Sequence, residues 1–295
     1  MPEGIIVKGI MGFYYVKTEE GVYECKPRGL FRKDSIVPLP GDRVVISVIN
    51  KDDKIGHIVE ILPRKIQLIR PSVSNINQIV TVISVKSPLP DLMLLDKLLV
   101  TAKKKGIEVA IIVNKIDLDE KDQHKIFTDS YKVTGFRVMS LCSLKGIGFE
   151  KLEDVLAGKI TVFAGQSGVG KSTILNRIMD SYIMETGNIS NKNDRGKHTT
   201  RHAELIELKT GGFVVDTPGF SSFELSDIDK NELKTYYPEF EPYVDRCKFG
   251  GCSHINEPKC GVKDALERGQ LDLGRYERYV ELYKTLENKE RRRYS

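Results

Sequence analysis

The sequence predicts a multi-domain α/β protein in three parts: a small N-terminal β-barrel, a doubly wound and mostly parallel central sheet, and a C-terminal helical segment around a cysteine–histidine cluster. Three observations carry this prediction. Short runs rich in Val, Ile and Tyr crowd residues 1–65, and Gly, Pro and Asp punctuate them. From residue 78 onward, apolar strands alternate with amphipathic helical stretches, the pattern of a parallel sheet with crossover helices. Cys247, Cys252, His254 and Cys260 then fall within fourteen residues.

The N-terminal runs are GIIVKGIMGFYYVKT, GVYECKP, DRVVISVI and IGHIVEIL, with PLPGDRV as a turn feeding the third. Five short strands fit the length of an OB-fold over 1–68, with an SH3-like or other small barrel as the alternative. RPSVSN (70–75) reads as a linker. The central domain, expected over 69–224, begins with the strand QIVTVIS (78–84). A helix follows over 89–106, with Gly106 as its C-cap. The buried-type strand EVAIIVN (108–114) comes next, then a helix over 121–133 and the strand FRVMS (136–140). FEKLEDVLA (149–157) is helical, and KITVFAG (159–165) is a strand running into a helix that starts at 171. HAELIEL and GFVVD form a strand pair around Gly211-Gly212. The remainder, 225–295, is helical and polar.

GQSGVGKS (165–172) fits the phosphate-loop pattern G-x-x-x-x-G-K-[ST] in its required context, strand before and helix after. Gly165, Gly168 and Gly170 let the N–H groups of the loop, which also holds Gln166, Ser167 and Val169, turn inward around phosphates. Lys171 reaches the β- and γ-phosphates, Ser172 ligates Mg²⁺, and Thr173 lies in the same helix start. NKID (114–117) stands at the C-terminal end of a strand, where ligands bind in open α/β sheets. Asp117 can accept two hydrogen bonds from guanine, Asn114 can bond the purine edge, and Lys115 can pack over the ring. Ser140-Leu141-Cys142 is placed as the loop beneath the guanine carbonyl. Asp216-Thr217-Pro218-Gly219 is D-x-x-G: Asp216 holds Mg²⁺ through water and the Gly219 N–H meets the γ-phosphate. Thr200 in GKHTTR, with Thr199 second, completes the Mg²⁺ shell when the γ-phosphate is present. Phe220 occupies the place of a water-orienting Gln, which makes His198 the candidate replacement.

These motifs occur in a rotated order. A conventional GTPase runs phosphate loop, switch Thr, D-x-x-G, N-K-x-D and Ser loop. This chain starts at N-K-x-D. Joining the old ends and cutting before residue 78 converts one order into the other, so the central domain is expected to be a circularly permuted P-loop GTPase.

Three thiolates and an imidazole from Cys247, Cys252, His254 and Cys260 make a closed tetrahedral zinc site, one structural ion per chain. The closing run of Lys289 and Arg291 to Arg293 is either a contact for RNA phosphates or a solvated helix end. A net charge of +5 is compatible with nucleic acid. No apolar run approaches the ~20 residues of a membrane span. The N-terminus lacks the features of a signal peptide, so a cytoplasmic location is expected.

The motif order, the barrel before it and the Cys-Cys-His-Cys insertion after it together resemble the RsgA/YjeQ family of circularly permuted, small-subunit-dependent GTPases. The resemblance implies GTP binding and hydrolysis to GDP with Mg²⁺, zinc in the C-terminal domain, and action in late maturation of the small (30S) ribosomal subunit. It further implies contact with 16S rRNA and a monomer. Ser140-Leu141-Cys142 departs from the family's Ser-Ala-Lys. A guanine-nucleotide-regulated binding module with little turnover and a general ATPase are the rival readings. Asp117 argues against the second.

Overall fold

A computed structural model describes residues 1–28, 36–69, 71–186, 203–216 and 228–293. The first apolar run folds into two strands, β1 (Glu3–Ile10) and β2 (Phe13–Thr18). They join at Met11-Gly12, both at positive φ (50° and 84°), a two-residue turn whose twist matches the strands. With β3 (Gly21–Pro27), β4 (Arg43–Asn50) and β5 (Ile55–Ile61) they close a barrel in the order β1-β2-β3-β5-β4. Here β1 pairs antiparallel with β4, and β3 runs parallel to β5. This five-stranded closure is OB-like. Alternate residues point inward, so Ile6, Val16, Tyr23, Cys25, Val44, Ile46 and Ile58 form its core.

The segment expected to be a linker is packed instead. Gln67–Leu68 (β6) pairs with Val73–Ser74 (β7). The reason is the buried Asp42 of the Pro-Gly-Asp turn. Its carboxylate accepts Arg64 Nε at 2.7 Å and Nη2 at 2.7 Å, the Leu39 N–H at 2.8 Å and the Ser74 hydroxyl at 2.6 Å. A buried carboxylate needs such partners, and Ser74 comes from the supposed linker.

The chain continues through β8 (Gln78–Ser84), α1 (Leu92–Lys104), β9 (Glu108–Asn114), a 3-10 turn (Ile116–Leu118), α2 (Gln123–Lys132) and β10 (Arg137–Leu141). Then come α3 (Phe149–Leu156), β11 (Ile160–Ala164), α4 (Lys171–Thr186), β12 (Glu204–Glu207) and β13 (Phe213–Asp216). Two 3-10 turns (Leu233–Tyr236, Pro238–Phe240) precede α5 (Glu241–Val244), α6 (Gly261–Glu267) and α7 (Leu273–Arg293).

Two compact units are assembled from discontinuous stretches. The first is Met1–Val80, Phe149–Phe163 and Ser172–Phe220. In it β11 runs parallel to β13, and β13 pairs antiparallel with β12, the expected strand pair. The barrel meets β12 through Lys8–Glu204 at 3.1 Å and Lys17–Glu207 at 2.7 Å. The second unit is Thr81–Gly148, Ala164–Lys171 and Ser221–Ser295. In it β10 runs parallel to β9, residue for residue from Arg137↔Ala110 to Leu141↔Asn114. Ile83, Leu95, Leu99, Ile111, Val113 and Tyr131 pack as one core beneath.

The C-terminal part of this second unit is tied to α1 by buried charge. Asp96 is fully buried on α1. It accepts Arg275 Nη1 at 2.5 Å, Arg278 Nε at 2.6 Å and the Tyr131 hydroxyl at 2.8 Å. Arg275 also holds Glu239. Asp96→Ala would leave the buried Arg275 with Glu239 as its one carboxylate and take the carboxylate partner from Arg278. The expected cost is about 3–5 kcal/mol, read as a marked fall in the thermal unfolding midpoint. A midpoint matching wild type would show that the cluster is not a structural tie.

Candidate functional site

The phosphate loop is shaped by two glycines with no room for a side chain. Gly165 adopts φ 130°, and a Cβ there would lie 2.2 Å from the Val82 carbonyl oxygen. Gly170 adopts φ 101°, and its Cβ would lie 2.4 Å from Asn114 Nδ2. Both the conformation and the contact exclude other residues. Gly168 also has positive φ. The Lys171 ammonium donates to the carbonyls of Gly165 (2.6 Å) and Gln166 (2.8 Å), so it crosses the mouth of the loop. Burial holds its pKa below the ordinary lysine value. Ser172 and Thr173 are exposed in the first turn of α4.

NKID joins this loop through hydrogen bonds. Asn114 is fully buried at the end of β9. Its Nδ2 donates to the Val169 carbonyl at 2.9 Å and to Ser143 Oγ at 3.2 Å, and its Oδ1 accepts the Ser143 N–H at 3.1 Å. The sequence reading gave Asn114 the purine edge; in the structure its amide braces three loops. Lys115 sits in the left-handed region (φ 62°), and its ammonium donates to the Gly168 carbonyl at 2.8 Å and to the Ser87 carbonyl. Asp117 is exposed, and its Oδ1 accepts the Cys142 thiol at 3.0 Å.

In the loop placed at Ser140-Leu141-Cys142, Ser140 and Leu141 are ladder residues of β10, opposite Val113 and Asn114. The side chains that meet NKID come from Cys142 and from Ser143, which sequence reasoning missed. A second polar residue just past the strand end was its only signal. Ser87 was also missed, and nothing in its local pattern marks it. Asp216 closes β13 with its backbone opposite Glu204. Its side chain lies outside the described residues, as do His198, Thr199, Thr200, Gly219 and Phe220.

The cysteine–histidine cluster is fully assembled. The ligand atoms of Cys247, Cys252, His254 and Cys260 all lie within 4.8 Å of one another. Cys247 Sγ is 3.9 Å from Cys260 Sγ and 3.6 Å from His254 Nδ1, and His254 Nδ1 is 3.4 Å from Cys260 Sγ. Tetrahedral Zn–S and Zn–N bonds of ~2.3 and ~2.0 Å give edges of roughly 3.5–3.8 Å, which the distances among Cys247, His254 and Cys260 match to within a few tenths of an ångström. His254 is held in the left-handed region (φ 61°) with its carbonyl accepting the Tyr276 hydroxyl at 2.7 Å. The Gly261 N–H points at Cys247 Sγ at 3.3 Å. Burial lowers the His254 pKa to about 4 and raises Cys252 to about 12.

A model of the RsgA GTPase matches residues 61–226, and a model of the RsgA N-terminal domain matches residues 3–58. The small ribosomal subunit biogenesis GTPase RsgA of Ruminiclostridium cellulolyticum is 59% identical over 290 residues, covering 98% of this chain and 95% of that relative. The protein of the same name from Alkaliphilus metalliredigens is 49% identical over the whole of both chains. Two crystal structures are similar throughout. YloQ, a circularly permuted GTPase, has a TM-score of 0.82 and 40% identity, covering 98% of this chain and 96% of its own. YjeQ from Thermotoga maritima has a TM-score of 0.80 and 36% identity, covering 97% and 98%.

Asn114→Ala removes every bond of the brace at once. Binding of a guanosine nucleotide, titrated with a fluorescent analogue, should weaken roughly thirtyfold for about 2 kcal/mol lost. Wild-type affinity in that variant would show that the three loops hold their places without it.

Proposed function

The chain belongs to the RsgA GTPase family: it is a GTP hydrolase acting in biogenesis of the small ribosomal subunit, and we propose the following division of labour for its residues. Asp117 reads guanine while Asn114 and Lys115 hold the base-reading and phosphate loops together. Lys171 and the N–H groups of Gly165 to Ser172 take the β- and γ-phosphates. Ser172, Thr200 and Asp216 hold Mg²⁺, which when bound neutralises charge on the β- and γ-oxygens. The Gly219 N–H meets the γ-phosphate, and His198 orients the attacking water. The observation that carries this reading is the Asn114 amide bonded to Val169 and Ser143, which makes one site of two motifs about fifty residues apart.

The same proposal divides the chain into an OB barrel over 1–68, a permuted GTPase domain over 69–224 and a zinc domain over 225–295. The barrel strands ending at Ile61 and the sheet strands beginning at Gln78 support the first boundary. Zinc is the metal we assign to the Cys₃His cluster, one ion per chain. Barrel and zinc domain are the surfaces proposed to contact 16S rRNA, in a monomer working in the cytoplasm. Among the described residues no helix is long and apolar enough to cross a membrane.

GTP turnover should rise at least about tenfold when purified small subunits are added, and His198→Ala should lose most of that rise while GTP affinity holds. Normal stimulated turnover in His198→Ala would move the water-orienting role elsewhere. Asp117→Asn should transfer preference from guanosine to xanthosine nucleotides, at about 2–3 kcal/mol; unchanged GTP binding would remove Asp117 as base reader. Elemental analysis after dialysis should find one zinc per chain, absent from Cys252→Ser/Cys260→Ser. Finding none in wild type purified without chelator would refute the zinc site.

A further inference from the structure

Two lysines of the barrel hold two glutamates of the strand beside it. Lys8 on β1 meets Glu204 at 3.1 Å, and Lys17 on β2 meets Glu207 at 2.7 Å. On β2 the buried Val16 and Thr18 point inward, which leaves Lys17 on the outer face. On β1 the register shifts between Ile6, which is buried, and Lys8, and this bulge turns Lys8 outward as well. Glu204 and Glu207 are three positions apart on β12 and so lie on opposite faces of that strand. β12 is the edge strand of its sheet, and the two lysines grip that edge from both sides. The four side chains are between 33% and 44% exposed, so water reaches both pairs. Ion pairs placed in this way contribute little and exchange readily.

Charge decides what takes the place of the glutamates. A lysine ammonium is a compact cation that binds phosphate as well as carboxylate. It has three protons, but a phosphate seated beside the carboxylate would bring two anions into contact, so the two occupy the lysine in turn. A nucleic-acid backbone also releases condensed counterions as its phosphates are taken up, which a single carboxylate does not. We propose that Glu204 and Glu207 stand in for RNA phosphates on Lys8 and Lys17: the two carboxylates compete with RNA for the barrel, and RNA seats there by displacing them. The inference rests on the reading of the barrel as an RNA-contacting surface. Its consequence is selectivity. An RNA with phosphates at both lysines displaces both glutamates, whereas one that reaches a single lysine still faces the other carboxylate as a like charge. The displaced strand leads to the nucleotide motifs, since Glu204 stands opposite Asp216 in the β12–β13 ladder and follows Thr200 by four residues.

The test measures binding of a fluorescent oligouridylate to the full chain by anisotropy, at low and at high salt. Glu204→Gln/Glu207→Gln keeps the side-chain shapes and removes both competing charges. It should bind about three- to tenfold more tightly than wild type at low salt, and the two should converge as salt screens the competitor. Removing two negative charges anywhere on the barrel also favours RNA, so Glu19→Gln/Glu60→Gln, at two exposed acids, is the control and should gain much less. In a Lys8→Met/Lys17→Met background, which should itself bind more weakly, the glutamine substitutions at 204 and 207 should gain no more than the control pair. Nucleotide titration of each variant reports that it is folded. A gain in Glu204→Gln/Glu207→Gln no larger than that of the control overturns the inference. So does a full gain that persists without the two lysines. The parent reading fails separately: if neither wild type nor the glutamine variant binds the oligonucleotide at low salt, the barrel is not an RNA surface.

Discussion

The geometry of the candidate site depends on one buried amide. Asn114 has two donor protons and one acceptor oxygen, and all three reach protein partners: Val169 of the glycine-rich loop and Ser143 just past β10. An unpaired amide in that position would carry its full desolvation cost. The arrangement is therefore close to all-or-none. With Asn114 in place, Gly170 must be glycine, because its missing Cβ makes room for Nδ2. Lys115, one residue on, then reaches the Gly168 carbonyl and adds a second tie between the same segments. Circular permutation leaves this junction untouched, because its partners are defined by position in the sheet and not by order along the chain.

A different economy holds the C-terminal region to α1. Its core is aromatic: Tyr237, Phe240 and Tyr279 meet with ring centroids 5.0–5.3 Å apart. Beside them lies a cluster of two arginines and two carboxylates, where Arg275 is almost wholly buried over the faces of Tyr131 and Tyr237. Neighbouring carboxylates push its pKa upward against burial, so it stays charged. Such a cluster adds little net stability over an apolar equivalent but penalises any misplaced partner heavily. It works as a registration device for α7, while the Cys₃His loop fixes the local fold a few residues away.

Much of this was legible in the sequence, and the exceptions share a cause. Strands, helices and the two nucleotide motifs follow from patterns within a few residues, and the elements fall close to where periodicity placed them. The cysteine–histidine set was legible from ligand type alone. What escaped were contacts between residues remote in sequence. The segment 70–75 looked like a linker because Ser74 gives no hint of Asp42, thirty-two residues earlier. The bracing role of Asn114 was out of view because Val169 lies fifty-five residues beyond it. The first barrel run concealed a hairpin, since methionine seldom takes a positive φ, yet Met11 does. Ser143, which bonds Asn114, lies one residue past the segment 140–142 that the strand end marked.

The long separations also bear on how the molecule is made. A ribosome adds ~5–20 residues per second. Asp96 emerges early, and the arginine that neutralises it is 179 residues further along. For roughly ten to forty seconds of synthesis, by that rate, the nascent chain carries an acidic residue destined for the interior with no guanidinium yet made to receive it. The barrel, whose strands are complete at Ile61, has every partner in hand well before then. Translation thus sets the earliest point at which each contact can form: the N-terminal barrel can close once Ile61 is out, the Asn114 brace cannot form before Val169 is made, and Asp96 cannot meet Arg275 before the last helix leaves the tunnel.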